Sequence, residues 1–299
     1  MNDLTQRIAS IRDDREHGSR WLVRQTITLL RDLATQSELS PEERLQRVRQ
    51  AGRELAHARP AMAALAGAVG RILAASGGTD GMARAAGQLL QEYDQAVARI
   101  TGFARPLLRG TIMLHSLSGT VMEVLSACIP PVEQVIILEG RPLYEGRTVA
   151  RNLSTHSVAL TLITDAQADI FLPSCQAVVV GADSILADGG ILNKAGTSLL
   201  ARAARGHGIP FYVLSETLKI SPRAWSGDLA LLEEHPGQEV WRDPPTGVAV
   251  RNFYFDHTPA ELVTRIISEQ GPLSLDEVKR QAEVLWKVGE INSTEAWMC

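Results

Sequence analysis

The chain has 299 residues, a formal net charge of −4, 45% hydrophobic and 21% charged residues. That length supports a sizeable core, and the composition is that of an ordinary globular protein. The charge balance gives no reason to expect direct nucleic-acid or membrane partners; no apolar run is long enough to span a bilayer, and the opening residues lack the apolar core of a signal peptide.

Residues 1–105 read as a helical N-terminal domain. Trp21, Leu22, Ile27, Leu29, Leu30 and Leu33 mark one apolar helix. Pro41-Glu42-Glu43 has the chemistry of a helix start, with proline in the first turn and acids at the positive end of the dipole; that helix runs to about Ala58. Arg59-Pro60 breaks it, and an alanine-rich helix follows to about Ala75. Ser76 to Asp80 reads as a loop before a helix over Met82–Ile100.

Residues 106–299 change character. Thr111–Leu114, Gln134–Leu138, Val158–Ile163, Ala177–Val180 and Phe211–Leu214 are short apolar strand candidates. Helical stretches lie between them, at Gly119–Ala127, Arg147–His156, Ala166–Leu172 and Thr197–Arg205. Strands alternating with helices predict an α/β fold, a Rossmann-like parallel sheet covered on both faces. After Ser215 the pattern predicts a strand within Val248–Phe255, a helix over Thr258–Glu269, a further helix over Leu273–Leu285, and a tail from Asn292 to Cys299.

The stretch from Ala177 to Ser215 concentrates the chemistry. A valine-rich strand stops at Gly181-Ala182-Asp183, a glycine turn follows at Asp188-Gly189-Gly190, and helix formers run from Asn193 to Arg205. A carboxylate, a lysine (Lys194) and the amides of a helix start fall in one neighbourhood, which suits a phosphorylated ligand. Ligands of open parallel sheets bind at the carboxyl ends of strands. Those ends here deliver His115, Ser116 and Ser118; Glu139 and Arg141; Thr164 and Asp165; Asp183; and Ser215, Glu216 and nearby Lys219. Loop residues are polar in any case, so this clustering alone does not define a site.

No P-loop, G-x-G-x-x-G, H-E-x-x-H or G-x-S-x-G signature is present, and the three cysteines, Cys128, Cys175 and Cys299, show no metal spacing. No cofactor and no metal are expected, and the cysteine usage fits a reducing, cytoplasmic setting.

The motif G-A-D-S-I-L-A-D-G-G-I-L-N-K-A-G-T, followed by I-P-F-Y-V-L-S-E-T-L-K, resembles the superfamily that joins translation initiation factor 2B alpha, beta and delta subunits to ribose-1,5-bisphosphate and methylthioribose-1-phosphate isomerases. Glu139-Gly140-Arg141-Pro142 with Glu145-Gly146, the segment Phe255 to Leu262, Arg59-Pro60 and Gly18-Ser19 extend the resemblance over nearly the whole chain. It implies a helical N-terminal domain, a Rossmann-like C-terminal domain, and homodimers or higher assemblies. It also implies aldose–ketose isomerisation by a cysteine and an aspartate. The aspartate is matched by Asp183. The cysteine is not: the corresponding stretch reads His115-Ser116-Leu117-Ser118, so Ser116 stands there, and a hydroxyl is a far weaker acid than a thiol. His17 stands where the isomerases carry an arginine.

Two functional expectations follow. The first is an initiation factor 2B-like protein that binds a phosphorylated sugar or nucleotide without the cysteine-dependent reaction. The alternative is an aldose–ketose isomerase acting on a phosphorylated pentose such as ribose 1,5-bisphosphate. In either case Asp183 and Ser116 are the candidate catalytic positions, and Gly18, Ser19, Arg59, Arg141, Asn193 and Lys194 the candidate substrate contacts. For Arg141 the residues leave open a phosphate contact or an ion pair with Glu139 or Glu145.

Overall fold

The computed structural model describes residues 2–14 and 17–291. Five helices come first: α1 (Asn2–Arg12), α2 (Ser19–Ala34), α3 (Pro41–Ala56), α4 (Ala63–Leu73) and α5 (Gly78–Ala104). Helix α3 starts as its sequence requires. Ser40 accepts from the Glu43 amide, Glu43 accepts from the Ser40 amide, and Pro41 occupies the first turn, a capping box that satisfies two otherwise unpaired amides. The expected loop from Ser76 to Asp80 shrinks, because α5 begins at Gly78.

The rest of the chain runs β1 (Gly110–Leu114), α6 (Gly119–Ala127), β2 (Val132–Leu138), α7 (Glu145–Leu153), β3 (Ala159–Ile163), α8 (Ala168–Phe171), β4 (Ala177–Val180), β5 (Ser184–Ile185), β6 (Ile191–Lys194), α9 (Thr197–Gly206), β7 (Phe211–Leu214), β8 (Phe255–Thr258), β9 (Arg265–Ser268), β10 (Gly271–Leu273) and α10 (Leu275–Ile291). The main sheet has the order β10-β9-β7-β4-β1-β2-β3, parallel throughout except for the β9–β10 pair. Alternation along the strands covers both faces. Met113, Ile136, Val178, Val180 and Phe211 pack toward α8, α9 and α10. Ile112, Leu114, Val135, Ile137 and Val179 pack toward α5, α6 and α7. The fold is therefore a mixed α/β one, a helical N-terminal part followed by a mostly parallel sheet.

Two expectations fail after Val180. Asn193 and Lys194 do not open a helix: they end β6, which pairs antiparallel with β5 and β8 in a separate three-stranded sheet, Asn193 facing Asp256 and Lys194 facing Phe255. Residues 258–269 are not a helix either. Thr258 ends β8 instead of opening one, a short 3-10 turn follows at Ala260–Leu262, and Arg265–Ser268 joins the main sheet as β9 beside β7. The strand expected within Val248–Phe255 begins only at Phe255. The tail from Asn292 to Cys299 lies outside the described residues.

Strands run outward from β1 in one direction to β2 and β3, and from β4 in the other to β7 and β9. The switch point between β1 and β4 opens a crevice at their carboxyl ends. The helical part closes over it, and the two parts share apolar packing: Leu186, Leu192, Leu218, Tyr254 and Phe255 belong to the same buried cluster as Leu22, Leu30, Leu55 and Leu65.

Candidate functional site

A cavity of about 610 Å³ occupies this seam. Its wall includes Gly18, Ser19, Arg59, Ser116, Asp183, Asn193 and Lys194, together with Glu145, Lys219, Glu233 and Tyr254. Seven of the residues singled out from sequence thus meet around one space, drawn from the helical part, from the ends of β1 and β4, and from β6.

Asp183 lies three residues beyond β4. Its amide donates to the Leu192 carbonyl (2.8 Å) and its carbonyl accepts from the Ala63 amide (3.2 Å), so its backbone is held between β6 and α4. Gly181 allows this: a Cβ there would sit 2.6 Å from Ser118 Oγ, and the β4 loop could not approach the start of α6. Burial pushes the Asp183 carboxyl up to about 6. Lys219 and Lys194 counteract that rise, while Glu145 and Glu233 add to it. A carboxyl of that kind exchanges protons near neutrality.

Ser116 has left-handed backbone geometry, φ 71°. The strand has already ended at Leu114, and the turn sends Ser116 Oγ to Glu145 Oε2 at 2.8 Å, where the Leu117 amide also donates at 3.2 Å. The other Glu145 oxygen meets Lys194 Nζ at 2.7 Å. Lys194 is buried, with Nζ 4.5 Å from the centre of the Tyr254 ring. His115 turns elsewhere, its Nε2 3.0 Å from the Ala195 carbonyl oxygen and against Gly196, whose φ of 106° and lack of a Cβ leave room for the imidazole. Ser116 and His115 form no relay. Asn193 is buried and donates to Thr197 Oγ1 (2.9 Å), which itself donates to the Lys194 carbonyl (2.6 Å). The Asp256 carboxylate accepts from the Gly196 and Ser198 amides and so holds the start of α9; burial pushes its carboxyl up to about 6.

Arg141 stands apart. Asp165 holds the Gly140 and Arg141 amides at 2.9 Å each, and the guanidinium turns to the Tyr144 hydroxyl and the Val240 carbonyl. It does not line the cavity, nor does it pair with Glu139 or Glu145. Its loop instead delivers Glu145, the first residue of α7. Arg59 lines the cavity but is engaged: its Nε is 3.3 Å from Glu233 Oε2, and its Nη1 donates to the Asp14 carbonyl at 3.1 Å. Glu145 was visible in the sequence only as part of a motif, and Glu233 carried no signal at all. It sits in a stretch between β7 and β8 that holds only short 3-10 turns.

The described cysteines, Cys128 and Cys175, are buried in the packing of the sheet, away from the cavity, and burial raises both thiols. Among the described residues no group of three or more His, Cys, Asp or Glu side chains is arranged to hold a metal, and no helix is long and apolar enough to cross a membrane.

A doubly wound sheet with a polar cavity at its switch point, roofed by a helical part, defines an α/β protein of the Rossmann-like class. Residues 15–274 match the Initiation factor 2 subunit family, and the chain belongs to that family. It is 33% identical over 270 residues to a putative translation initiation factor eIF-2B subunit 2-like protein of Pyrococcus horikoshii, covering 88% of this chain and 94% of that one. It is 29% identical over 284 residues to the ribose 1,5-bisphosphate isomerase of Archaeoglobus fulgidus, covering 91% and 90%. The crystal structure of the Pyrococcus horikoshii translation initiation factor eIF-2B superimposes with a TM-score of 0.80 at 30% identity, over 91% of this chain and 97% of that one.

Proposed function

We propose that this chain binds a phosphorylated sugar or nucleotide in the cavity between the helical part and the β1–β4 crevice, without a cysteine-dependent isomerisation. The observation that carries the reading is the convergence of Asp183, Lys194 and Ser116 on one space, with the described thiols elsewhere. The volume suits such a ligand. Helix α2, whose N-cap Gly18 and first residue Ser19 are in the wall, has no side-chain cap and no acid in its first turn, so its positive end offers amides to an anion. Ser116 Oγ donates to a carboxylate that also holds a lysine, an arrangement that keeps the hydroxyl a donor and gives it no strong base.

A second reading, proton transfer between adjacent sugar carbons, is favoured by one feature only: the Asp183 carboxyl at about 6. Two measurements separate the readings. Calorimetric titration with pentose phosphates and nucleoside monophosphates is expected to show binding that Asp183→Asn and Lys194→Met each weaken by about tenfold or more. Incubation of the bound sugar in deuterated water is expected to leave its C–H positions unexchanged. Unchanged titrations in both variants overturn the binding reading, and deuterium incorporation at a sugar carbon in the presence of the wild-type protein overturns the absence of isomerase chemistry.

A further inference from the structure

Resting on the reading just given, we infer that the cavity admits a ligand with one phosphate and discriminates against a second, and that Glu233 is the residue that sets this limit. The wall is more acidic than basic: Asp13, Asp14, Glu145, Asp183, Glu233 and Glu234 outnumber Arg12, Arg59, Lys194 and Lys219. Each of those four cations already faces a carboxylate. Arg12 forks onto Asp13 with both contacts at 2.8 Å. Arg59 meets Glu233, Lys194 meets Glu145, and Lys219 lies 3.7 Å from Glu216. His17 Nδ1 lies 2.8 Å from Asp14 Oδ2, and His235 Nε2 3.7 Å from Glu233 Oε2. A phosphate that reaches Arg59, Lys194 or Lys219 must displace a carboxylate from a largely buried pair, whereas the Arg12–Asp13 pair lies in solvent. The backbone amides at the start of α2, which no side chain caps, leave a place for one anion beside the Asp14 carboxylate that accepts from the His17 amide.

Glu233 is the most committed of these carboxylates on the helical side. Its backbone is in the left-handed region, φ 48° and ψ 92°, a conformation that a non-glycine residue adopts at a cost and keeps only when its surroundings hold it there. That turn brings one oxygen to Arg59 Nε and the other to the Ala61 amide at 3.2 Å, with the paired side chains 12% and 10% exposed. Glu233 therefore stands in the place of an anion at Arg59. With little water to screen it, a second phosphate there meets like charge, which suppresses wrong ligands more than it strengthens right ones.

The experiment compares ribose 5-phosphate with ribose 1,5-bisphosphate, which differ by one phosphate, in calorimetric titrations against the full chain and against Glu233→Gln. The wild type is expected to bind the bisphosphate about tenfold or more weakly than the monophosphate, and Glu233→Gln to close that gap by about fivefold, chiefly through tighter bisphosphate binding. Bisphosphate binding as tight as or tighter than monophosphate binding in the wild type overturns the inference and leaves the binding reading standing. A gap that Glu233→Gln leaves unchanged removes Glu233 as its cause. If neither sugar binds, the inference falls, and the nucleoside monophosphate titration decides the reading beneath it. Should Glu233→Gln not fold, the wild-type ratio alone decides.

Discussion

Two buried lysine–glutamate pairs flank Asp183, and they differ in what else each partner holds. Lys194 and Glu145 stand 2.7 Å apart with side chains 7% and 20% exposed. Glu145 also accepts from Ser116 and from the Leu117 amide. Lys219 and Glu216 stand 3.7 Å apart and are 3% and 1% exposed. Lys219 makes its shortest bond, 2.7 Å, to the Ala182 carbonyl. Glu216 accepts from Thr120 through one oxygen, which also lies 3.6 Å from Arg20 Nη1, while its other oxygen has no hydrogen bond and leans on the charge of Lys219. The difference separates two roles that the same residue types can play. Both lysines reach the cavity wall, but Lys219 is tied to the β4 loop and the end of β7, whereas Lys194 has a partner that two further donors satisfy.

The largest expected effect breaks this comparison if it fails. Lys219→Met leaves the buried Oε2 of Glu216 with no partner, Arg20 and Thr120 remaining only at Oε1, and is expected to destabilise the fold by about 3–5 kcal/mol in urea unfolding. Lys194→Met is expected to lose only about 1–3 kcal/mol, because Glu145 keeps two donors and some contact with water. Equal losses in the two variants would mean that the extra donors to Glu145 do not compensate it.

Asp183 lies between the pairs and sharpens the contrast through pH. Its folded value of about 6 exceeds the ordinary 3.8, so the native state binds the proton more tightly than the unfolded chain. Its contribution to stability is then fully present below 3.8 and is lost as pH rises through about 6. Asp183→Asn is expected to flatten the pH dependence across that window. Above pH 6 it should gain about 1–2 kcal/mol over the wild type, a figure reduced for the partial exposure of the carboxyl to the cavity. A wild-type stability that rises from pH 4 to 6 through this residue would show that the two lysines outweigh burial.

The parts that sequence reasoning recovers are those whose burial is uniform. Ala177–Val180 is buried at every position and reads as an apolar run, and α6 begins at a glycine behind Ser118, which caps it through the Val121 amide. The parts it misses depend on partners far along the chain. Asn193-Lys194 precedes a real helix by three residues and carries no strand pattern; it is a strand because Phe255–Asp256 pairs with it. Pro259-Ala260-Glu261-Leu262 has helix-start chemistry, yet it supplies one short turn before Arg265–Ser268 joins β7. At the site, Asp183 was legible as a strand-end carboxylate and Lys194 only as a lysine beside an expected helix start. The direction of Arg141 was not, because it follows from Asp165 holding the Gly140 and Arg141 amides in a turn. The presence of Glu233 was not either, because nothing periodic surrounds it.

The smallest effect tests whether the Lys194 side owes its geometry to Ser116. The left-handed backbone at Ser116 disfavours any residue with a Cβ by about 1–2 kcal/mol, and glycine escapes that penalty. Ser116→Ala keeps the strain and loses the 2.8 Å bond to Glu145, so it should destabilise by about 1–2 kcal/mol. Ser116→Gly loses the same bond, relieves the strain and adds about 0.5–1 kcal/mol of unfolded-chain entropy, so it should lie within about 1 kcal/mol of the wild type. Glycine less harmful than alanine at this position, in paired urea melts, is the expected order. The reverse order would mean that the turn is held by the Leu117 amide and Lys194 alone, with no backbone strain for Glu145 to balance.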